Sequence, residues 1–285
     1  MKTKQVWGIV LLLCMSVGFT HCKEEEPTQQ ALTPFKLDKQ SYEVMRKGYK
    51  HIAIVNGSGE LGIEIAEPAI LDAKYSRNPE EDFGILRIEG KEKGETTLTV
   101  TDLVTKETVT VAIKVTDIYL AYEIRESNHP ALDVGTVVYL VNNERKDCYF
   151  FHYADTENKL PTLLNAKGTY RFSVRLEQGT EGERNVPYMT LIYPSDEKGH
   201  FTDAAIAPIE HPFRLELQDG ATNINVVNII QHYLGVNWEE LISNQPYPRT
   251  NVMKSPTLKM TVDETDFSLT GTLDILPSMP EGILE

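Results

Sequence analysis

Apolar and polar residues alternate strictly along several short segments in the first half of the chain. The clearest are HIAIV at 51–55, LGIEI at 61–65 and TVTVAIKV at 108–115. Alternation with a period of two predicts β-strands that bury one face and expose the other. Short strands that recur every 8–12 residues or so are typical of a β-sandwich, so we expect this architecture over residues 35–116.

Residues that tolerate a positive φ angle lie between the first two of these segments. Asn56, Gly57 and Gly59 surround Ser58 there. Such residues favour tight turns between paired strands. The sequence therefore predicts a hairpin at this position.

From Asp117 onward the apolar segments become longer and richer in aromatic residues. In CYFFHY at 148–153, alternate residues Tyr149, Phe151 and Tyr153 would point one way and the residues between them the other. Both faces are then largely apolar, which is typical of a strand inside a sandwich or a closed barrel. Other predicted strands of this part lie at 118–124, 135–141, 169–177, 186–194, 212–217, 257–262 and 267–275.

These patterns together predict a mainly β fold. An N-terminal sandwich would precede a larger antiparallel β-sandwich or barrel of about eight or nine strands. We place the boundary at residue 117, so that the second domain spans 117–285.

One segment of the second domain has helical spacing. Val226, Val227, Ile230 and Leu234 recur as on one helix face, and Gly235 follows as a terminator. A strand over 223–230 is the alternative, because polar and apolar residues partly alternate there. Downstream, the spacing of Asn237 and Glu240 predicts a cap for a second short helix that begins near Trp238.

The first 21 residues have the form of an export signal. Lys2 and Lys4 precede an apolar run from Val6 to Phe19. At about 14 residues this run is shorter than the roughly 20 that a membrane-spanning helix needs. We therefore expect residues 1–21 to be a signal peptide.

The residues after this signal resemble the amino terminus of Bacteroidota surface lipoproteins. The stretch FTHC at 19–22 is similar to a lipobox, and an acidic tract follows Cys22 directly. The resemblance implies that Cys22 is lipidated and holds the chain to the bacterial outer membrane. It also implies a surface-export signal formed by Lys23, Glu24, Glu25 and Glu26.

The tract after Cys22 contains few apolar residues. Glu, Pro, Thr and Gln dominate it up to about Pro34. Such a composition cannot bury a core, so residues 22–34 are expected to be a flexible tether between the lipid and the fold.

Residues 35–116 resemble bacterial Ig-like domains of group 2. The matching segment is ILRIEGKEKGETTLTVTD at 85–102, with its turn glycines Gly90 and Gly94 and the alternating pair Leu98 and Val100. Such domains serve as spacers or adhesive modules in surface proteins. The resemblance implies an Ig-like sandwich and transfers no catalytic residue.

Charge and cysteine content narrow the possible partners. Removal of residues 1–21 leaves 26 Lys and Arg residues and 42 Asp and Glu residues. The formal net charge of the remaining chain is −16. Such a chain should be repelled by nucleic acid, so no nucleic-acid partner is expected. Cys14 would leave with the signal and Cys22 would carry lipid, so Cys148 has no partner for a disulfide.

The chemistry-bearing residues form no recognised catalytic or metal motif. The histidines are isolated, and neither HExxH nor GxSxG occurs. We therefore predict no metal, no cofactor and no catalytic residue, and do not expect an enzyme. A glycoside hydrolase is a less favoured alternative, because two carboxylates suffice for it and a sequence cannot measure their separation.

A surface-anchored binding module, with a glycan as the candidate ligand, is the function that we expect. A structural or adhesive protein that contacts other extracellular proteins is the alternative. Aromatic side chains provide the apolar walls of sugar sites, so a groove in the second domain would use them. The candidate ligand-binding residues are Tyr149, Tyr153, Tyr188, Tyr193 and Trp238.

Overall fold

The N-terminal part of the fold is a β-sandwich. The computed structural model of the chain describes residues 33–78, 81, 83–155, 160–179, 182–216, 221–237, 256–274 and 279–284. The described strands before residue 117 are β1 (Ser41–Met45), β2 (Tyr49–Val55), β3 (Leu61–Ile65), β4 (Leu71–Arg77), β5 (Phe83–Gly90), β6 (Gly94–Asp102) and β7 (Thr108–Thr116). Strands β1, β7, β6 and β3 form one sheet in that order, and β2, β5 and β4 form the other. Their alternating aliphatic side chains meet in one buried core, so the predicted sandwich is confirmed.

The turn at 56–59 is not a hairpin, and this prediction was wrong. Strand β2 pairs with β5, whereas β3 pairs with β6 in the other sheet. The connection therefore crosses from one sheet to the other. The predicted positive φ angles are present, at 64° for Asn56, 73° for Gly57 and 83° for Gly59.

A buried carboxylate holds this crossing in place. Asp102 accepts hydrogen bonds from the backbone N of Ser58 (2.7 Å), Val104 (2.9 Å) and Thr105 (3.0 Å), and from Ser58 Oγ at 2.8 Å. Burial alone would raise the pKa of Asp102, but these bonds outweigh it and hold the pKa well below its usual range. The 56–60 and 102–107 turns are thus fixed to each other at one end of the sandwich.

The second part is a closed barrel of eight antiparallel strands. They are β8 (Tyr119–Ser127), β9 (Thr136–Val141), β10 (Asp147–Asp155), β11 (Leu160–Gly179), β12 (Gly182–Pro194), β13 (Pro208–Glu216), β14 (Thr257–Thr261) and β15 (Ser268–Asp274). Each strand pairs with the next along the chain, and β15 pairs with β8. The predicted larger antiparallel domain is confirmed, and of its two architectures the structure has the barrel.

Side chains on the barrel strands alternate between the interior and the outer surface. Cys148 and Phe150 point into the buried interior, whereas Tyr149 and Phe151 belong to a separate apolar cluster on the outer surface. Of the two apolar faces predicted for 148–153, one therefore packs in the barrel interior and the other in the cluster on the outer surface.

Strand β11 is longer than predicted, because residues 160–168 also belong to it. Its first half pairs with β10 and its second half with β12. A Cβ placed on Gly168 would lie 2.2 Å from the carbonyl oxygen of Ile192. The two backbones approach so closely there that only glycine fits.

The seam between β15 and β8 closes the barrel. The ring of Tyr122, on β8, lies over Gly271 of β15, and its hydroxyl donates to the carbonyl oxygen of Leu258 on β14 at 3.0 Å. A Cβ on Gly271 would lie 2.7 Å from this ring and 2.4 Å from the carbonyl oxygen of Glu123. One tyrosine therefore spans three strands, and the glycine makes room for it.

Helix α1 (Ala221–Leu234) covers one end of the barrel, which we call the helix end. Val226, Val227, Ile230 and Leu234 lie in the interior cluster, as the helical interpretation predicted. Gly235 ends the helix with φ 68° and donates to the carbonyl oxygen of Gln231. The second helix predicted near Trp238 lies outside the described residues. No described helix is both long and apolar enough to traverse a bilayer.

His129 closes the opposite end of the barrel, which we call the loop end. Its ring centroid lies 5.7 Å from each of the rings of Phe213 and Phe267. Its Nδ1 accepts hydrogen bonds from the backbone N of Ala131 (3.2 Å) and Leu132 (3.1 Å). Burial, followed by the proximity of two other histidines, lowers the pKa of His129 to about 4.

We predict that Gly271→Ala destabilises the protein by about 1–3 kcal/mol, because the added methyl group must displace Tyr122 or the β8 backbone. Chemical denaturation measures this as a lower midpoint with an unchanged slope. The neighbouring substitution Thr270→Ala is the control and should change the free energy of unfolding by less than about 0.5 kcal/mol. If the two substitutions lowered the free energy of unfolding equally, the added methyl group at position 271 would not need to displace Tyr122 or the β8 backbone.

We predict that the free energy of unfolding falls as the pH falls from about 6.5 to about 4, because the unfolded chain protonates His129 more readily than the folded one. This contribution is fully present above pH 6.5, and its slope is at most about 1.4 kcal/mol per pH unit.

His129→Asn keeps an acceptor near the position of Nδ1 but removes the titrating group. Denaturant melts at several pH values should show a shallower slope for this variant. The control is His232→Gln, a substitution of an exposed histidine on helix α1. The slope of stability against pH should be the same in this variant as in the parent protein. A parent slope in His129→Asn would exclude His129 as its source.

Candidate functional site

The outer surface of the barrel meets the sandwich through an apolar cluster. Met45, at the end of β1, packs against Ile118 and Tyr119 at the start of β8. The backbone N of Tyr119 also donates to Met45 Sδ at 3.2 Å. Tyr149 and Phe151 extend this cluster along the barrel wall. The outward apolar face of β10 is therefore covered by other parts of the chain.

The C-terminal segment 279–284 ties the two parts together. Leu284 is buried in the outer cluster, and its carbonyl oxygen accepts from Lys114 Nζ at 2.6 Å. Glu281 forms ion pairs with Lys39 (3.0 Å) and Lys50 (2.9 Å) of the sandwich. Residues far apart in sequence thus hold one junction between sandwich and barrel.

A groove of about 720 Å³ opens beside this junction. The turn between β9 and β10 forms one wall, and the β5–β6 turn of the sandwich faces it. We call this cavity the junction groove; its lining residues are Lys93, Asp117, Asn142, Asn143, Glu144, Arg145, Lys146, Asp147, Tyr149, Lys167 and Leu284.

Two ion pairs position the charged groups of the junction groove. Lys93 Nζ lies 2.8 Å from Asp117 Oδ2 and joins the sandwich to the start of the barrel domain. Arg145 donates to Asp147 Oδ2 at 3.1 Å, and Asn143 Nδ2 donates to the same oxygen at 2.7 Å. Asp147 is buried, whereas the Arg145 side chain is 68% exposed. The guanidinium is therefore oriented by Asp147 and still offers N–H groups to the groove.

The other two cations of the groove have different environments. Lys146 Nζ donates to Asn142 Oδ1 (2.6 Å) and to the carbonyl oxygen of Leu234 (3.0 Å), so it caps helix α1. Burial lowers the pKa of Lys146. Lys167 is exposed, and its Nζ lies 5.1 Å from the ring centroid of Tyr149. Among the described residues, Lys167 forms no ion pair.

The predicted ligand-binding residues that the structure describes do not share one surface. Tyr149 lines the junction groove, and Tyr153 packs beside it in the outer cluster. Tyr193 is buried in the barrel interior. Tyr188 lies on another part of the outer wall, and Trp238 lies outside the described residues. A binding role for any of them stays a prediction.

Tyr188 is enclosed by charged side chains. The guanidinium carbon of Arg175 lies 4.1 Å from its ring centroid, and its hydroxyl is 2.5 Å from Glu177 Oε1 and 2.8 Å from Asp263 Oδ2. Burial, followed by the two carboxylates at its hydroxyl, raises the pKa of Tyr188. The side chain is 1% exposed, so it lies within the wall.

The predicted lipidation and export residues lie outside the described part of the chain. They are Cys22, Lys23, Glu24, Glu25 and Glu26. The structure therefore places none of them.

Sequence reasoning missed the main wall of the junction groove. In the sequence, the turn NNERKD at 142–147 stands out only as a polar connection between the predicted strands at 135–141 and 148–153. Its role depends on Lys93 and Asp117, which only the tertiary structure brings beside it. The one local signal was the density of amide and charged groups in six consecutive residues.

A serine and a histidine come together at the loop end of the barrel. Ser195 Oγ lies 2.6 Å from His211 Nε2 and 3.0 Å from the carbonyl oxygen of Tyr193. The single hydroxyl proton can be donated to either acceptor, and the tautomer of His211 decides whether its Nε2 donates to the serine or accepts from it.

Hydrogen bonds lower the pKa of four carboxyl groups, those of Asp102, Asp196, Glu210 and Glu281. For Asp102 and Glu281 they outweigh burial, which alone would raise the pKa. Among the described residues, no group of three or more potential metal ligands occurs. The junction groove combines cations, amides and one aromatic ring, which suits an oxygen-rich ligand.

Comparisons with known proteins give only distant likenesses. No family model matches the sequence, and no curated protein matches it. The chain is similar to the crystal structure of S-layer protein SbsC domains 4 and 5, with 14% identity, a TM-score of 0.27 and coverage of 30% of this chain and 45% of that one. For SbsC domains 5–6 the identity is 11%, the TM-score 0.27 and the coverage 64% and 96%. The chain spans less than half of the first structure, and likenesses with TM-scores this low carry no argument about function.

Proposed function

We propose that this protein is a lipid-anchored surface protein of the bacterial outer membrane that binds an extracellular glycan in the junction groove without turnover. The observation that carries the binding site is the position of Arg145 and Lys167 on the wall of an open groove that also contains the ring of Tyr149. Sugar ligands present hydroxyl and carboxylate oxygens, which accept hydrogen bonds from such cations.

Preorganisation supports this site. The salt bridge to Asp147 orients Arg145, and the ion pair between Lys93 and Asp117 fixes the opposite wall. Groups that are already held in place lose less conformational entropy when a ligand binds. The ligand would contact the sandwich and the barrel at once.

Surface anchoring is supported by the sequence. The apolar run that ends before Cys22, and the acidic tract that follows it, are the features of an exported lipoprotein. The Ig-like resemblance of residues 35–116 fits a spacer between the lipid and the barrel. The net negative charge of the mature chain is consistent with a ligand other than nucleic acid.

We predict that Cys22→Ala abolishes incorporation of labelled fatty acid and releases the protein from the membrane fraction, because this thiol is the proposed attachment point. Metabolic labelling followed by fractionation measures both effects. Cys148→Ala is the matched control, since the Cys148 thiol is fully buried in the barrel, and it should leave labelling intact. Labelling that persists in Cys22→Ala would refute the anchor.

We predict that the double substitution Arg145→Ala and Lys167→Ala weakens glycan binding about tenfold or more, which corresponds to about 1.4 kcal/mol. The ligand would first be selected on a glycan array with the chain from Lys23 onward. Calorimetry then measures the affinity, and thermal melts report how much stability is lost, because Arg145→Ala removes one of the donors to the buried Asp147.

The control for this test is the pair Arg171→Ala and Lys259→Ala on other parts of the barrel surface. Both residues are exposed and neither lines the junction groove, so binding should be unchanged. Absence of binding across a broad array would favour the alternative of a structural or adhesive protein. Sugar products would identify a hydrolase instead.

A further inference from the structure

Apolar side chains are exposed at the end of the sandwich that lies opposite the barrel. Val55 at the end of β2 pairs with Phe83 at the start of β5, and the two are 43% and 40% exposed. Leu103 and Val104, in the turn after β6, are 48% and 55% exposed. We call these four residues the apolar tip. Ile206, another exposed apolar residue, lies in the loop between β12 and β13 of the barrel, whereas these four lie at one end of the sandwich.

The apolar tip is held rigidly. The carboxylate of Asp102 accepts from the backbone N of both Ser58 and Val104, so it joins the turn after β2 to the turn after β6. The N of Leu103 also donates to the carbonyl oxygen of Glu60 at 2.8 Å. Leu103 and Val104 are therefore presented by a fixed loop and do not fold back into the core. A rigid surface gains more on docking than a mobile one, because less entropy is lost.

The chain enters the sandwich at this same end. The backbone N of Gly57 donates to the carbonyl oxygen of Thr33 at 2.9 Å, and Lys36 bridges to Val55. Ten residues, 23–32, separate Thr33 from Cys22. Even fully extended, this segment spans at most about 40 Å. A lipid at Cys22 would thus hold this end of the sandwich, to which the tether is joined, within about 40 Å of the bilayer.

The barrel lies at the opposite end of the sandwich from the apolar tip. The barrel contacts Met45 and the end of β7, at the far ends of the sandwich strands. Strands β6 and β7 have nine residues each, which corresponds to about 30 Å. Ile206 belongs to the barrel, in the loop between β12 and β13.

We propose that the apolar tip docks onto the lipid surface to which Cys22 is attached, with Leu103, Val104 and Phe83 entering the interfacial region. This inference rests on the lipid anchor proposed above. Lys106 supports it, because its Nζ is held at 2.7 Å from the carbonyl oxygen of Leu103 and places a cation beside the apolar side chains. Apolar groups next to a lysine are typical of surfaces that lie in the membrane interface. Docking would hold the sandwich upright and present the junction groove away from the membrane.

Depth-dependent quenching tests this proposal on the full lipidated chain. The chain would carry Trp238→Phe as background and be reconstituted in vesicles of phosphatidylethanolamine and phosphatidylglycerol that contain brominated phosphatidylcholine. Leu103→Trp is the reporter. Ile206→Trp is the matched control, because Leu103 and Ile206 are 48% and 49% exposed. Docking predicts a blue shift and an about twofold loss of emission for Leu103→Trp, since interfacial side chains enter the acyl boundary, and neither effect for Ile206→Trp.

A second tryptophan variant keeps the test decisive if Leu103→Trp does not fold. Phe83→Trp, on the cross-strand partner of Val55, should be quenched in the same way. If both tip reporters stay unquenched while the protein sediments with the vesicles, docking is refuted and the anchor stands. Equal quenching of Ile206→Trp would also refute it, because the whole molecule would then lie on the membrane. A protein that does not sediment with the vesicles refutes both the anchor and the docking.

Discussion

The closing contact between β15 and β8 is the constraint on which the second domain depends. Eight strands can only form a barrel without edges if the last one pairs with the first, and here one aromatic ring covers that seam. Tyr122 lies across Gly271 and reaches the backbone of Leu258 on the next strand. The ring occupies the space that a Cβ at position 271 would fill. The pairing of β15 with β8 and the packing of the barrel interior therefore depend on each other.

Closure also determines where a ligand could bind. The interior of the barrel is occupied by its own side chains, with helix α1 over one end and His129 at the other. The outward face of β10 cannot remain exposed, because Tyr149 and Phe151 are apolar; the sandwich and the C-terminal segment cover it. The junction groove is the space that remains where this cover meets the polar turn at 142–147. It is a consequence of two domains meeting.

The two ends of the sandwich have different roles. One end of the sandwich receives the chain from the proposed anchor, and the other packs against the barrel. Buried charged groups stabilise particular points in this arrangement: Asp102 fixes the turns at the first end, and Asp147 orients Arg145 at the second. In each case a carboxylate is paired with donors that offset the cost of its burial.

The sequence alone determined the mainly β class and many of the strands, and it favoured a helix that ends at Gly235 over a strand, because these depend on local periodicity and on residues whose conformational freedom is intrinsic. It could not determine which strands pair. The turn at 56–59 has hairpin residues, yet it crosses between sheets because β2 pairs with β5 and β3 with β6, and Asp102, more than 40 residues later, holds it there through Ser58. Nor could it determine the site: Tyr149 and Tyr193 look alike in the sequence, but strand parity and closure put one on a groove and the other in the core. Only the tertiary structure decided these points, because pairing and burial depend on contacts between residues that are distant along the chain.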